Sequence, residues 1–204
     1  GYMLAFFSVL IICGCILYLL IDAKQYDFIH LYVIGLAFLM TYLFLQEAKV
    51  ITAKKSFARR YNPLRIGLIF SFIAGILFLS KQGLFPVSYE YIWISSIFII
   101  AIILYFIGRI IPIFGLTNKG TKTIIYLLAA LALLLTALSP AISGSLLLLL
   151  LCFYVNYKTG FIIGVIAFIY FMGQYYYDLN FTLLTKSILL FSSGILFLIL
   201  YLFT

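Results

Sequence analysis

The chain has 204 residues, of which 67% are hydrophobic and 9% charged, a formal net charge of +8 and a mean hydropathy of +1.28. Soluble domains carry roughly 45–50% apolar and about 25% charged residues, and the 13 basic and 5 acidic side chains present here cannot cover a water-facing surface. The composition excludes a soluble globular domain and makes lipid the solvent for most of the surface.

A helix needs roughly 20 apolar residues to cross the hydrocarbon core, and eight runs of about that kind follow one another, at 2–21, 28–46, 66–85, 91–114, 123–139, 140–157, 160–177 and 181–203. The first stops at Asp22, Lys24 and Asp27. It lacks the basic flank of a signal peptide, and Ile12-Cys13-Gly14-Cys15 is only a faint lipoprotein box. Gly1 is not a natural start, so a processed or longer chain is expected. The second run ends at Glu47, and the polar stretch to Arg65, closing with Asn62 and Pro63, reads as the one sizeable loop. The third run is uncharged only to Ser80, so Lys81 must snorkel to the interface, and Pro86 ends it. The fourth holds Arg109 and Pro112 near its far end.

The next apolar block, Thr123 to Tyr157, has 35 residues without a charge. As one helix it would be roughly 50 Å long, so it folds back on itself, and Ser139-Pro140 marks the hairpin. Lys158 and Gly160 precede the seventh run, which ends at Tyr175, Tyr176, Tyr177 and Asp178; Asn180 is a plausible N-cap for the eighth.

Alternating spans put loops 2–3, 4–5 and 6–7 on one side. Counting Arg109, these hold ten basic residues, against Lys24, Lys81 and Lys186 opposite. Lys and Arg favour the cytoplasm, so both termini are expected there. The positive charge then reads as a topology signal, and no nucleic acid is expected as a partner. Small residues mark where helices meet in lipid: Gly67, Ser71 and Gly75 in the third run, Gly160 and Gly164 in the seventh, and Ser192, Ser193 and Gly194 in the eighth. Ordinary intramolecular packing accounts for these faces, with a homodimer face as the alternative.

Chemistry-bearing motifs are scarce. Gly115–Lys122 reads GLTNKGTK, a P-loop with Thr and Lys transposed and no preceding strand. His30, the single histidine, sits at the start of the second run, where an interfacial ring is expected. The acidic residues have no metal-ligand spacing, and no GxSxG elbow is present. Cys13, Cys15 and Cys152 lie in apolar runs and read as small hydrophobes. No catalytic residue, cofactor or metal is therefore expected.

The most informative stretch is GQYYYDLNFTLLTKSILLFSSG, residues 173–194. Three tyrosines suit an interfacial belt. Lys186 lies about a turn and a half into the eighth run, where helix dipole and bilayer both disfavour a cation. It must snorkel or pair with a carboxylate, Asp178 being the nearest, with Glu90 and Asp27 as others. A candidate polar site is therefore Tyr175, Tyr176, Tyr177, Asp178, Thr182, Thr185 and Lys186.

This stretch, with Ser139-Pro140, the leucine-rich span and the basic break at Lys158, resembles the C-terminal part of an uncharacterised bacterial membrane family, domain of unknown function 4401. Tyr175, Tyr176, Tyr177, Leu179, Thr182, Leu183, Leu184, Lys186, Ser187 and Gly194 follow its pattern. The resemblance covers about residues 139 to 201, while the first 120 residues match only in being hydrophobic. It implies a polytopic bacterial inner-membrane protein and no particular activity.

The expectation is thus an all-α, polytopic helix bundle of about eight spans forming a single membrane domain. Its expected role is that of a non-enzymatic envelope component whose partners are membrane lipids and either other membrane proteins or a second copy of the chain. A small transporter using Asp178 and Lys186 is the first alternative, and an intramembrane enzyme acting on lipid the second.

Overall fold

A computed structural model describes residues 2–47, 55–80, 92–114, 119–134, 136 and 139–178. Among them the chain forms seven α-helices and one short 3₁₀-helix. In order these are α1 (Tyr2–Asp22), α2 (Phe28–Leu45), α3 (Lys55–Ser80), α4 (Ile92–Ile110), the 3₁₀ turn Ile111–Phe114, α5 (Lys119–Leu134), α6 (Pro140–Tyr154) and α7 (Lys158–Asp178). Contacts divide the chain into two units, Gly1–Phe171 and Met172–Thr204. The described part of the second is the last stretch of α7.

Five helices are long and apolar enough to cross a membrane: α1, α2, α3, α4 and α7. The expected count of about eight falls to these five among the described residues. The reason for the shortfall at the fifth and sixth runs is length. The 35-residue apolar block divides between α5, a 16-residue helix that begins before it at Lys119, and the 15-residue α6 that starts at Pro140, and 15 residues rise only about 22 Å against a core of roughly 30 Å. The eighth run lies outside the described residues.

Two other boundaries differ from expectation. The stretch before Arg65 is helical from Lys55, with Pro63 inside α3. Proline removes one backbone bond from a helix interior, so packing by Tyr61 and Arg65, on either side of it, has to hold this turn. Pro112, by contrast, acts as a breaker, and α4 tightens into the 3₁₀ turn around it.

In the first unit α2, α3, α4 and α6 make the core. Helix α2 meets α1, α3, α4 and α6, while α6 meets α2, α3 and α4. The short α6 is the most enclosed, with Pro140 through Ser145 all buried. Its small residues allow this: a Cβ on Gly144 would come within 2.6 Å of Ile76 Cδ1 on α3. The buried hydroxyls beside it bond back along the helix, Ser145 to the Ile142 carbonyl at 2.9 Å and Ser143 to that of Pro140 at 3.2 Å, which satisfies them away from water. Helix α1 is the opposite case. It packs chiefly on α3 and leaves Met3, Leu4, Phe7, Ile11, Ile12 and Ile16 exposed, the expected face of a helix bathed in lipid.

Two turns stop helices with a left-handed residue. After α1 the Gln25 amide bonds the Leu20 carbonyl at 3.1 Å and the Lys24 amide that of Ile21 at 3.0 Å, with Lys24 at φ 55°. After α6 the Tyr157 amide bonds the Cys152 carbonyl at 2.9 Å and the Asn156 amide that of Phe153 at 3.1 Å, with Asn156 at φ 55°. Both are Schellman stops, in which a left-handed residue turns the chain back over the orphan carbonyls.

Candidate functional site

The second of these stops positions a buried cation. By reversing the chain after α6, Asn156 sets the Tyr157 ring directly under the guanidinium of Arg65, whose Cζ lies 3.6 Å from the ring centroid. Arg65 comes from the third turn of α3, one helical turn beyond Tyr61, on the face that continues through Ile69 and Phe72 into the core. It is only 5% exposed.

Its partners come from several elements. Nη1 donates to both carboxylate oxygens of Glu47, at 3.0 and 3.1 Å, and Nη2 donates to Asn62 Oδ1 at 2.8 Å. The rings of Phe44 and Tyr61 stand at 5.7 and 5.5 Å from its Cζ. The Tyr61 hydroxyl in turn donates to the Leu43 carbonyl at 3.0 Å, an acceptor in the last turn of α2. Arg65 thus sits where α2 and α6 both end, and two helix C-termini supply the partial negative charge that favours a cation. Planar stacking and multiple donors suit arginine here and would not suit lysine. Arg65 Nε is buried without a partner among the described residues.

Glu47 lies just past α2. Burial pushes its carboxyl above the ordinary range, and Arg65 partly offsets this by holding the charged form. Cys152, at the end of α6, is fully buried. Gly160 keeps this packing possible, since a Cβ there would meet the Tyr157 ring and come within 2.7 Å of Cys152 Sγ. The arrangement joins the ends of α2, α3 and α6 and the start of α7. Among the described residues this is the one ion pair.

A second polar contact lies at the opposite end of α2. His30 Nδ1 is 3.2 Å from Ser95 Oγ on α4, and His30 Nε2 is buried without a partner among the described residues. His30, expected as an interfacial ring at the start of the second run, lies there in α2 with its side chain packed inside the protein, 5% exposed. Its helix is enclosed on this side because α4 packs against it with Ser95 and Ser96 wholly buried.

The chain matches the family described as Domain of unknown function (DUF4401) over residues 1–204. The chain belongs to this family. The membership extends the C-terminal resemblance to the first 120 residues, expected to match only in being hydrophobic, so the Arg65 site and the His30 contact both lie inside the family's domain. No curated protein matches the chain, and no solved structure does.

Of the residues singled out from the sequence, Tyr175 and Tyr176 are half-buried near the end of α7, and Tyr177 is 81% exposed with its ring 5.9 Å from that of Tyr176. Asp178 ends α7. Thr182, Thr185, Lys186 and Gly194 lie outside the described residues. Gly67 faces α1, where its Cβ position is 3.1 Å from Val9 Cβ, and Gly75 faces Tyr32 and Val33 of α2 at 3.0 Å. Ser71 between them is buried and donates to the Gly67 carbonyl at 2.9 Å. Gly164 faces Leu148 of α6 at 3.0 Å. No group of three or more metal-ligating side chains occurs among the described residues.

Sequence reasoning counted Arg65 among the topology charges and missed its site. The one available signal was Tyr61 at i−4 with apolar residues following at the same helical spacing, which places Arg65 on an apolar face.

Proposed function

We propose that this membrane protein is a non-enzymatic component of the bacterial inner membrane that works by binding other membrane proteins, with both termini in the cytoplasm. The observation that carries this reading is the Arg65 site. Its carboxylate partner Glu47 and the rings of Phe44 and Tyr157 come from the ends of α2 and α6 and close around the guanidinium of α3, as expected of a device that holds helices in register. The orientation draws support from the way the basic loops meet. Glu47, Arg65 and Tyr157 come from loops 2–3 and 6–7 and touch one another, so these loops share one end of the bundle.

The surface offered to a partner in this reading is the exposed side of α1, where Gly14 has open space around its Cβ position and Ile11 and Ile12 are exposed. A small residue between bulky apolar ones is the pattern by which membrane helices approach each other. The transporter reading rests on Lys186, outside the described residues.

The test is photocrosslinking in native membranes with p-benzoylphenylalanine in place of Ile12. A discrete protein adduct is expected there and not with the same group in place of Ile69, which is buried on α3. Lipid adducts alone from Ile12, with a clean monomer in mild detergent, would overturn the proposal.

A further inference from the structure

Helices α2 and α4 pack together at the His30 end but leave an open groove of about 720 Å³ toward the other end. That volume falls in the range of ligand sites, roughly 300–1,000 Å³. Its walls are apolar along most of their length, with Phe38 and Phe98 at one limit and Ala101 on the α4 wall, and it finishes at Gln46 and Arg109. Phe38, Phe98 and Tyr105 are all exposed, so the groove opens sideways, to the medium that surrounds the helices.

The chemistry changes along the groove in one direction. From Phe98 to Arg109 helix α4 rises about 16 Å at roughly 1.5 Å per residue, which is close to half of a hydrocarbon core about 30 Å thick. An apolar trough one leaflet deep, ending in a cation, has the dimensions and polarity of a single phospholipid acyl chain below its phosphate. The cation is also oriented. Arg109 Nε donates to the Tyr105 hydroxyl at 3.1 Å, and its Cζ lies 5.6 Å from the Tyr105 ring. This leaves the N–H groups of the two terminal nitrogens as the donors of the guanidinium fork that suits a phosphate. No carboxylate lies within ion-pair distance of Arg109 among the described residues.

We infer that the α2–α4 groove is a binding site for an anionic phospholipid, with one acyl chain along Phe38, Phe98 and Ala101 and the phosphate on Arg109, and with Tyr105 as a positioning residue. A second membrane helix would need a wide apolar face and would gain nothing from a cation oriented at one end. This inference stands apart from the proposed partner-binding face, which lies on α1.

The full chain, purified in a neutral detergent, is titrated with dioleoyl phosphatidylglycerol and separately with dioleoyl phosphatidylcholine, and bound lipid is counted by native mass spectrometry. One tightly held phosphatidylglycerol per chain is expected, with phosphatidylcholine weaker by about tenfold. Arg109→Gln should abolish that preference, while Lys158→Gln, an exposed cation outside the groove, should keep it. Ala101→Trp places an indole on the wall of the groove and should weaken both lipids. Tyr105→Phe removes the orienting hydroxyl and should lower the phosphatidylglycerol preference several-fold while leaving phosphatidylcholine unchanged, which a general loss of structure would not do. Thermal unfolding of each variant shows that it is folded, and Tyr105→Phe, which deletes one exposed hydroxyl, carries the test if Ala101→Trp is not. Equal loss of preference in Arg109→Gln and Lys158→Gln would reduce the effect to diffuse charge and overturn the site. Unchanged lipid counts in folded Ala101→Trp, or no difference between the two lipids in the native chain, would overturn it as well.

Discussion

Arg65 is the residue whose substitution separates two views of a buried charge. If the Glu47 pair stabilised simply by attraction, replacing both partners would cost as much as replacing one. A buried pair behaves differently, because removing one partner strands the other while removing both removes the desolvation penalty too. Arg65→Met alone is therefore expected to lower unfolding stability in detergent by about 3 kcal/mol, whereas Glu47→Met with Arg65→Met together should change it by less than about 1 kcal/mol. Guanidinium or thermal unfolding of the three proteins checks the pattern. A double variant as unstable as the single would show that the pair is stabilising in its own right. The pH dependence of the native protein follows from the same carboxyl. Burial raises the Glu47 pKa in the folded state above its ordinary value, so between the two values the folded chain holds more protons than the unfolded one. Stability from this group is then fully present below the unfolded pKa and declines as pH rises through the folded pKa. The melting temperature, corrected for the other carboxylates by the same scan on Glu47→Gln, is expected to fall as pH rises from about 4.5 and to flatten once Glu47 is ionised in both states. A rise over that window would contradict the assigned direction.

At the scale of the elements, the two Schellman stops carry unequal residues. Asparagine tolerates the left-handed region, whereas lysine there costs about 1 kcal/mol. Lys24→Gly should accordingly stabilise the chain by about 1 kcal/mol in thermal unfolding. Asn156→Val should destabilise it by more than 1–2 kcal/mol, because it also shifts Tyr157 from under Arg65, and quenching of tyrosine contact with the guanidinium should be lost in the ultraviolet difference spectrum. A loss in Asn156→Val no larger than about 1–2 kcal/mol, with the difference spectrum unchanged, would mean that this turn has no link to the buried cation. Elements also show why boundaries were unevenly legible. Ser139-Pro140 was readable as a hairpin because proline at N1 and an apolar block too long for one crossing both point to it. The start of α3 was not, because Asn62 and Pro63 are local breakers that Tyr61 and Arg65 override through contacts with α2 and with Tyr157, residues 18 and 92 positions away for the pairs Tyr61–Leu43 and Arg65–Tyr157.

For the whole molecule, the arrangement of loops makes a prediction about sidedness. Arg65 and Tyr157 bring loops 2–3 and 6–7 to one end of the bundle, and Arg109 and Gln46, at the ends of α4 and α2, share one groove. Lys24 lies in the turn at the other end of α1 and α2. With the native cysteines replaced, Lys24→Cys should react with a membrane-impermeant thiol reagent applied to intact cells, and Lys122→Cys should react only after the membrane is opened. The reverse pattern would invert the proposed orientation, and labelling of both from outside would break the alternation of spans.

That the chain is a membrane protein followed from composition, since no fold can hide so many apolar side chains from water with so few charges to cover it, and that its described part is helical followed from the length of the apolar runs. The sequence likewise determined the apolar runs and the family, the second through the tyrosine-rich motif near its C-terminal end. Which cations are topology signals and which are structural was decided only in three dimensions. Arg65 and Arg109 look alike as single basic residues beside apolar runs. One is enclosed by Glu47, Asn62 and three rings, and the other is held by Tyr105 at the mouth of an open groove. The same holds for His30, whose contact with Ser95 nothing in the local sequence announces. Helix period and hydropathy are local properties and can be summed along the chain. Burial of a polar group depends on which distant element packs against it, and that is a property of the tertiary structure.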